Sequence, residues 1–183
     1  MNQGSTDWLD TATYHVKMFV AKTALLAMGA AFEIVSKLDP EVQREVADWA
    51  DGEVFSMGIL PHGPYISLVK EGSGVRYLGT GMKDPNVAIL FKNLDAALLV
   101  FTGQIGTHTA AAEKRFIVIG DLAETMKISR TMGLVQAYLF PGFIVKKTFK
   151  RVPQFTRENY LIKAKVYAKL VPVLAAKLGK KAA

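Results

Sequence analysis

The sequence predicts an α+β fold in which five short strand-like runs are bracketed by helical patterns at both ends of the chain. Three observations predict it. The runs Val54 to Leu60, Tyr65 to Lys70 and Val75 to Thr80 are separated by the turns Pro61-His62-Gly63-Pro64 and Glu71-Gly72-Ser73-Gly74, as an antiparallel meander requires. Val87 to Asp121 reads as a strand, an apolar helix stopped by glycine, a small-residue segment and a second strand closed by Gly120-Asp121. On either side, Tyr14 to Leu38 and Thr156 to Lys177 carry apolar residues at helical spacing.

At 183 residues the chain suits one domain with a full core. Half of its residues are hydrophobic and mean hydropathy is +0.19, which excludes a disordered chain and leaves an interior richer than self-burial needs. The absence of cysteine excludes disulfides and thiolate metal sites, and His15, His62 and His108 are far apart in sequence, so neither metal nor cofactor is expected. The lead MNQGSTDWLD lacks the basic patch and apolar run of a secretory signal. The apolar run Thr23 to Phe32, between Lys22 and Glu33, is about half of the roughly 20 residues that span a bilayer. No transmembrane helix is therefore expected, and a cytoplasmic location, with peripheral membrane contact, fits.

Charge is unevenly placed. Net charge is +7, yet from Lys146 to the end eleven basic residues stand against Glu158 alone, while the residues before it carry 12 basic and 15 acidic side chains. An anionic partner should meet the tail.

Taken in order, Met18, Ala21, Leu25, Met28, Phe32 and Val35 form one stripe of the first helix, read as a core face or, failing that, as a homodimer seam. Asp39 caps a second helix with Pro40 at its first position, and the pattern runs to about Ala50. After the meander, Val87, Ile89 and Phe91 face one way with Ala88 and Leu90 opposite, so this strand is covered on both sides or lines a cavity. Asn93 caps the helix Leu94 to Thr102, which Gly103 ends. Thr107 to Arg115 is a short helix, Phe116 to Ile119 the fifth strand, and Leu122 opens a long helix that Gly133 should interrupt. Met132 to Val145 is uncharged and runs straight into Lys146-Lys147, and the last helix should bend at Pro172.

This order of elements resembles the sterol carrier protein (sterol-binding) domain family. The match is carried by the central stretch: a strand, then Asn93-Leu94-Asp95-Ala96-Ala97-Leu98 ending in Gly103, then a strand ending in Gly120-Asp121 and the helix Leu122 to Ile128. It covers roughly residues 45 to 130. The resemblance implies a five-stranded, mostly antiparallel sheet covered by helices, with an apolar tunnel that takes a lipid, sterol or fatty acyl chain, and no catalytic residues. On that basis residues 39–150 form the lipid-binding domain, 1–38 an N-terminal helical extension and 151–183 a basic C-terminal helix packing on it.

A tunnel of this kind needs large and flexible apolar side chains between sheet and helices. The candidates are Phe55, Met57, Ile66, Leu68, Ile89, Phe91, Leu98, Phe101, Met126, Met132, Leu134, Tyr138 and Phe140. Which strand face lines it is open at this level. Phe143 and Ile144 with Lys146, Lys147, Lys150 and Arg151 form a candidate docking surface for an anionic membrane, the alternative being ordinary core with a solvated basic face.

Competing classes have little to stand on. Nucleic acid is an unlikely partner: the tail aromatics Phe149, Phe155, Tyr160 and Tyr167 do not group on a strand platform, and no base-reading motif accompanies the lysines. An accessory module that presents lipid within a metabolic assembly is the other non-enzymatic reading. Asp121, at a strand end, is the strongest acid-base candidate, but no second acid, base or nucleophile pairs with it, and it is placed to cap the helix beginning at Leu122.

Overall fold

The computed structural model describes residues 4–148 and 155–179, with side chains placed from 11 to 146 and from 155 to 172. The chain runs α1 (Gly4–Leu38), α2 (Pro40–Ala47), β1 (Val54–Ile59), β2 (Tyr65–Glu71), β3 (Gly74–Thr80), β4 (Val87–Phe91), α3 (Leu94–Phe101), α4 (Thr107–Ala112), β5 (Phe116–Ile119), α5 (Leu122–Leu139), α6 (Gly142–Thr148) and α7 (Arg157–Gly179). This is an α+β fold with a five-stranded mixed sheet flanked by helices.

Sheet order is β3-β2-β1-β4-β5. The meander β1-β2-β3 is antiparallel, β4 lies parallel to β1, and β5 returns antiparallel to β4. Because β3 and β4 sit on opposite sides of the β1–β2 pair, residues 81–86 must cross a face of the sheet. That crossing explains two buried hydroxyls. Ser56 and Ser67 are fully buried and bond to each other at 2.6 Å. The Ser67 hydroxyl also donates to the Gly81 carbonyl at 2.8 Å and accepts the Lys83 N–H at 3.1 Å, so the crossing backbone finds partners there. Asn86 completes the crossing: its N–H donates to the Val54 carbonyl at 2.9 Å, and its side-chain oxygen accepts the Val54 N–H at 2.8 Å.

The opposite face is the main core. Phe55, Met57 and Ile59 of β1, Ile66 and Leu68 of β2, and Val87, Ile89 and Phe91 of β4 are buried there. α1 lies over this face, with Ala21, Leu25, Met28, Phe32 and Val35 closed off from solvent, as the stripe of four and three spacings predicts. The Phe32 ring sits 6.3 Å from that of Phe55 and 6.4 Å from that of Trp49. Ile162, Val166 and Leu170 of α7 join the same core, which therefore draws on both ends of the chain.

Local signals place most boundaries. The Asp39 carboxylate accepts the N–H groups of Glu41 and Val42, Asn93 accepts that of Ala96, and Asp121 accepts that of Glu124, so all three predicted caps form. Other features differ from expectation. α1 starts at Gly4, because no proline or glycine follows within the polar lead. α2 ends at Ala47 and α4 at Ala112, each short of its pattern. α5 runs unbroken through Gly133: one glycine costs about 1 kcal/mol in a helix, and buried Met132, Val135 and Tyr138 on either side hold the register. α7 continues past Pro172, as its pattern through Lys177 predicts.

Between Thr11 and Leu38, α1 is long and apolar enough by length and composition to cross a membrane, with mean hydropathy 1.7. In this fold the same residues pack on the sheet and on α3, α5 and α7. The apolarity has a local reason, since one side of the helix meets the core and another the groove described next.

Candidate functional site

A groove of about 240 Å³ opens between α1 and α7. Ala24, Ala27 and Met28 supply the α1 wall, Tyr167, Leu170 and Val171 the α7 wall, and Phe101 of α3 with Leu139 and Phe140 at the end of α5 the rest. Two alanines face the bulkier α7 side chains, which holds the helix backbones apart enough to leave space. Leu170 is buried and forms part of the floor, whereas Val171 is 65% exposed at the mouth.

Polar groups around the groove are turned away from it. The Tyr167 hydroxyl donates to the Leu139 carbonyl at 2.6 Å, and burial raises its pKa. Lys163 donates to the carbonyls of Ala137 and Phe140, so an ammonium satisfies the end of α5 where the helix dipole favours a cation. Burial lowers the Lys163 pKa. What remains facing the cavity is mainly aliphatic and aromatic carbon.

Beside the groove, a buried polar cluster fixes α7. The Tyr138 hydroxyl donates to Asp39 Oδ2, and Asn159 Nδ2 lies 3.0 Å from the same oxygen and 2.7 Å from the Tyr138 hydroxyl. Phe155 stacks on Tyr138 at 4.9 Å, and Lys163 Nζ lies 5.3 Å from the Phe155 ring centre. Burial first, and then the bond to Asp39, push the Tyr138 pKa well above the tyrosine range, so at neutral pH this hydroxyl is a structural donor rather than a base.

The tunnel candidates fall in four places. Phe101 and Phe140 line the groove. Phe55, Met57, Ile66, Leu68, Ile89, Phe91 and Met132 come together as closed core, each at most 1% exposed. Leu98 is partly buried against that core, and Leu134 and Tyr138 border the small cavity at Asp39. Met126 is half exposed on α5.

Of the docking candidates, Phe143 is 74% exposed on α6, Ile144 is half-buried and Lys146 is exposed. The side chain of Lys147, and all of Lys150 and Arg151, lie outside the described residues. The groove walls Ala24, Ala27, Tyr167, Leu170 and Val171 were not sequence candidates. Their signal is the continuation of apolar character round α7, with lysines between, opposite a small-residue stretch of α1.

His15, His62 and His108 are each exposed, Asp121 is spent on capping α5, and among the described residues no group of three or more His, Asp or Glu could hold a metal.

Fold and groove together define an apolar groove between two helices on an α+β scaffold. No family model and no curated protein matches the chain. Solved structures do. The UbiJ-SCP2 ubiquinone synthesis protein matches with TM-score 0.43 and 13% identity, over 60% of this chain and 96% of that one. The sterol carrier protein domain 2 of Helicoverpa armigera matches with TM-score 0.43 and 17% identity, over 62% and 87%. Sterol carrier protein 2 from Yarrowia lipolytica, in its apo form, matches with TM-score 0.37 and 11% identity, over 65% and 88%. All three carry sterol carrier protein or SCP2 in their names.

Proposed function

We propose that the protein binds a lipid, sterol or fatty acyl ligand without catalysing a reaction on it, and that the groove between α1 and α7 takes the apolar part. One observation carries this reading: an open groove lined by carbon, in which the Tyr167 hydroxyl of the lining is already bonded to a backbone carbonyl. Its volume of about 240 Å³ is below the roughly 300–1,000 Å³ common for ligand pockets, so it holds a segment of a chain rather than a whole lipid. Burying about six methylenes would contribute roughly 5 kcal/mol before the cost of immobilising the ligand. That magnitude suits reversible pick-up and release.

Ala27 is only partly buried, so Ala27→Trp should fill the groove without entering the core. In the variant, the fluorescence gain of a dansyl-labelled fatty acid should fall at least tenfold in affinity, with a melting temperature close to that of the parent. Undiminished binding by a folded variant would remove the groove from the account.

Delivery fits the surface next to it. Phe143 projects from α6 just beyond Phe140 of the groove, with Lys146 exposed on the same helix. We infer docking on an anionic membrane through this corner. Phe143→Asp should lower flotation with anionic vesicles about tenfold or more, since full burial of such a side chain contributes roughly 1.5–3 kcal/mol. Vesicle binding equal to that of the parent would sink the docking step while leaving ligand binding intact.

A further inference from the structure

A second cavity, of about 410 Å³, lies further toward the N-terminal end of α1, where α1 meets the β1–β2 turn and the start of α3. Its apolar side is built by Met18, Ile59, Leu60 and Leu94, and its rim carries Lys17 and His62. It is separate from the groove: α1 and α3 pack on each other between the two, where Ala21 and Ala97 are fully buried. We propose that this cavity is a second ligand site, for a compact amphiphile that bears one anionic head, a carboxylate or a phosphate.

The apolar side supplies the energy and the rim supplies hydrogen-bond donors. Lys17 Nζ donates to Asp95 Oδ1 at 2.7 Å, using one of three ammonium donors and leaving two for a ligand oxygen. Asp95 is the acid of the lining, and its side chain is 72% exposed, so water weakens its repulsion of a bound anion. The Lys17 side chain is 43% exposed and lines the cavity from α1. His62 adds a ring donor from the turn, in a loop the groove does not use. A cation with spare donors and an imidazole, set over aliphatic carbon, select an anion with a short apolar body. This site does not depend on the groove reading.

The test is a titration of the full chain carrying 13C-methyl methionine, in which Met18 reports the cavity and Met28 the groove. Decanoate and decyl phosphate should shift Met18 in Ala27→Trp as in the parent, and inorganic phosphate should not. Lys17→Gln should weaken decanoate at Met18 about tenfold, the effect of one charge-assisted hydrogen bond, and weaken decanol less than twofold. Asp95→Asn breaks the same ion pair but keeps the cation, and should leave decanoate binding equal or tighter. Decanoate that moves Met28 and not Met18 would overturn the second site and leave the groove standing. Equal losses for decanoate and decanol in Lys17→Gln, or a tenfold loss in Asp95→Asn, would show that Lys17 only braces the helices. A response to inorganic phosphate equal to that of decyl phosphate would overturn the amphiphile.

Discussion

Gly120→Ala should destabilise the fold by about 3–5 kcal/mol, read as a lowered denaturant midpoint with an unchanged slope. Gly120 ends β5 with φ +102°, a backbone conformation that disfavours any side chain. A Cβ there would lie 2.1 Å from the Asn86 carbonyl oxygen and 3.1 Å from Val87 Cα. Both obstacles are backbone. Asn86 cannot retreat, because its N–H and its side-chain oxygen are both bonded to Val54 at the start of β1. Gly81→Ala is the control: φ is +98°, but open space surrounds the new methyl, so only the conformational part, about 1–3 kcal/mol, applies. Equal losses in the two variants would show that the approach of β5 to β4 is not what requires glycine.

Asp39→Ala is expected to cost about 2–4 kcal/mol, and to loosen α7 in particular. The carboxylate is 2% exposed and accepts from Glu41, Val42, Tyr138 and Asn159. Losing the cap accounts for about 1 kcal/mol, and leaving the tyrosine hydroxyl and asparagine amide without that acceptor for about 1–3 kcal/mol. Asn159 lies near the start of α7, so amide exchange there should accelerate more than in α1. Asp39→Asn keeps an acceptor and should lose less than half as much. A loss in Asp39→Ala of no more than 1 kcal/mol would reduce the cluster to an ordinary helix cap. The raised Tyr138 pKa gives a pH signature as well. A group whose folded pKa lies above its unfolded value contributes stability fully below the unfolded pKa, about 10 for tyrosine. That contribution is lost as pH rises beyond it, and Tyr138→Phe should flatten this alkaline decline.

Features settled within a few residues were legible in the sequence. Asp39-Pro40, Asn93 and Asp121 each cap a helix through an N–H two or three positions ahead, and the two turn signals set the meander, although Glu71 and Gly74 pair as strand residues and leave only Gly72-Ser73 as the second loop. Val87 to Phe91 shows the same economy: five buried residues with no polar face mark a strand covered on both sides. Gly133 misled because its cost is local, whereas burial of Met132 and Tyr138 is decided by distant neighbours.

The groove was beyond reach for the same reason. Its walls come from α1 and α7, far apart in the chain, and whether alanine meets valine or leucine across that gap depends on how both helices lie on the sheet. Asp39 and Asn159 are 120 residues apart, and no periodicity links them. Phe101 and Phe140 are conspicuous in the sequence as large apolar residues. The alanines that make the space are not.

The most direct measurement is paramagnetic broadening by a stearate spin-labelled near its methyl end, read on the methyl groups of the full chain. The account predicts loss of signal at Ala24, Ala27, Met28, Leu139, Leu170 and Val171, reversed by unlabelled stearate and absent in Ala27→Trp. Broadening centred instead on Met57, Ile66 and Leu68 would place the apolar chain inside the sheet-facing core and contradict the groove.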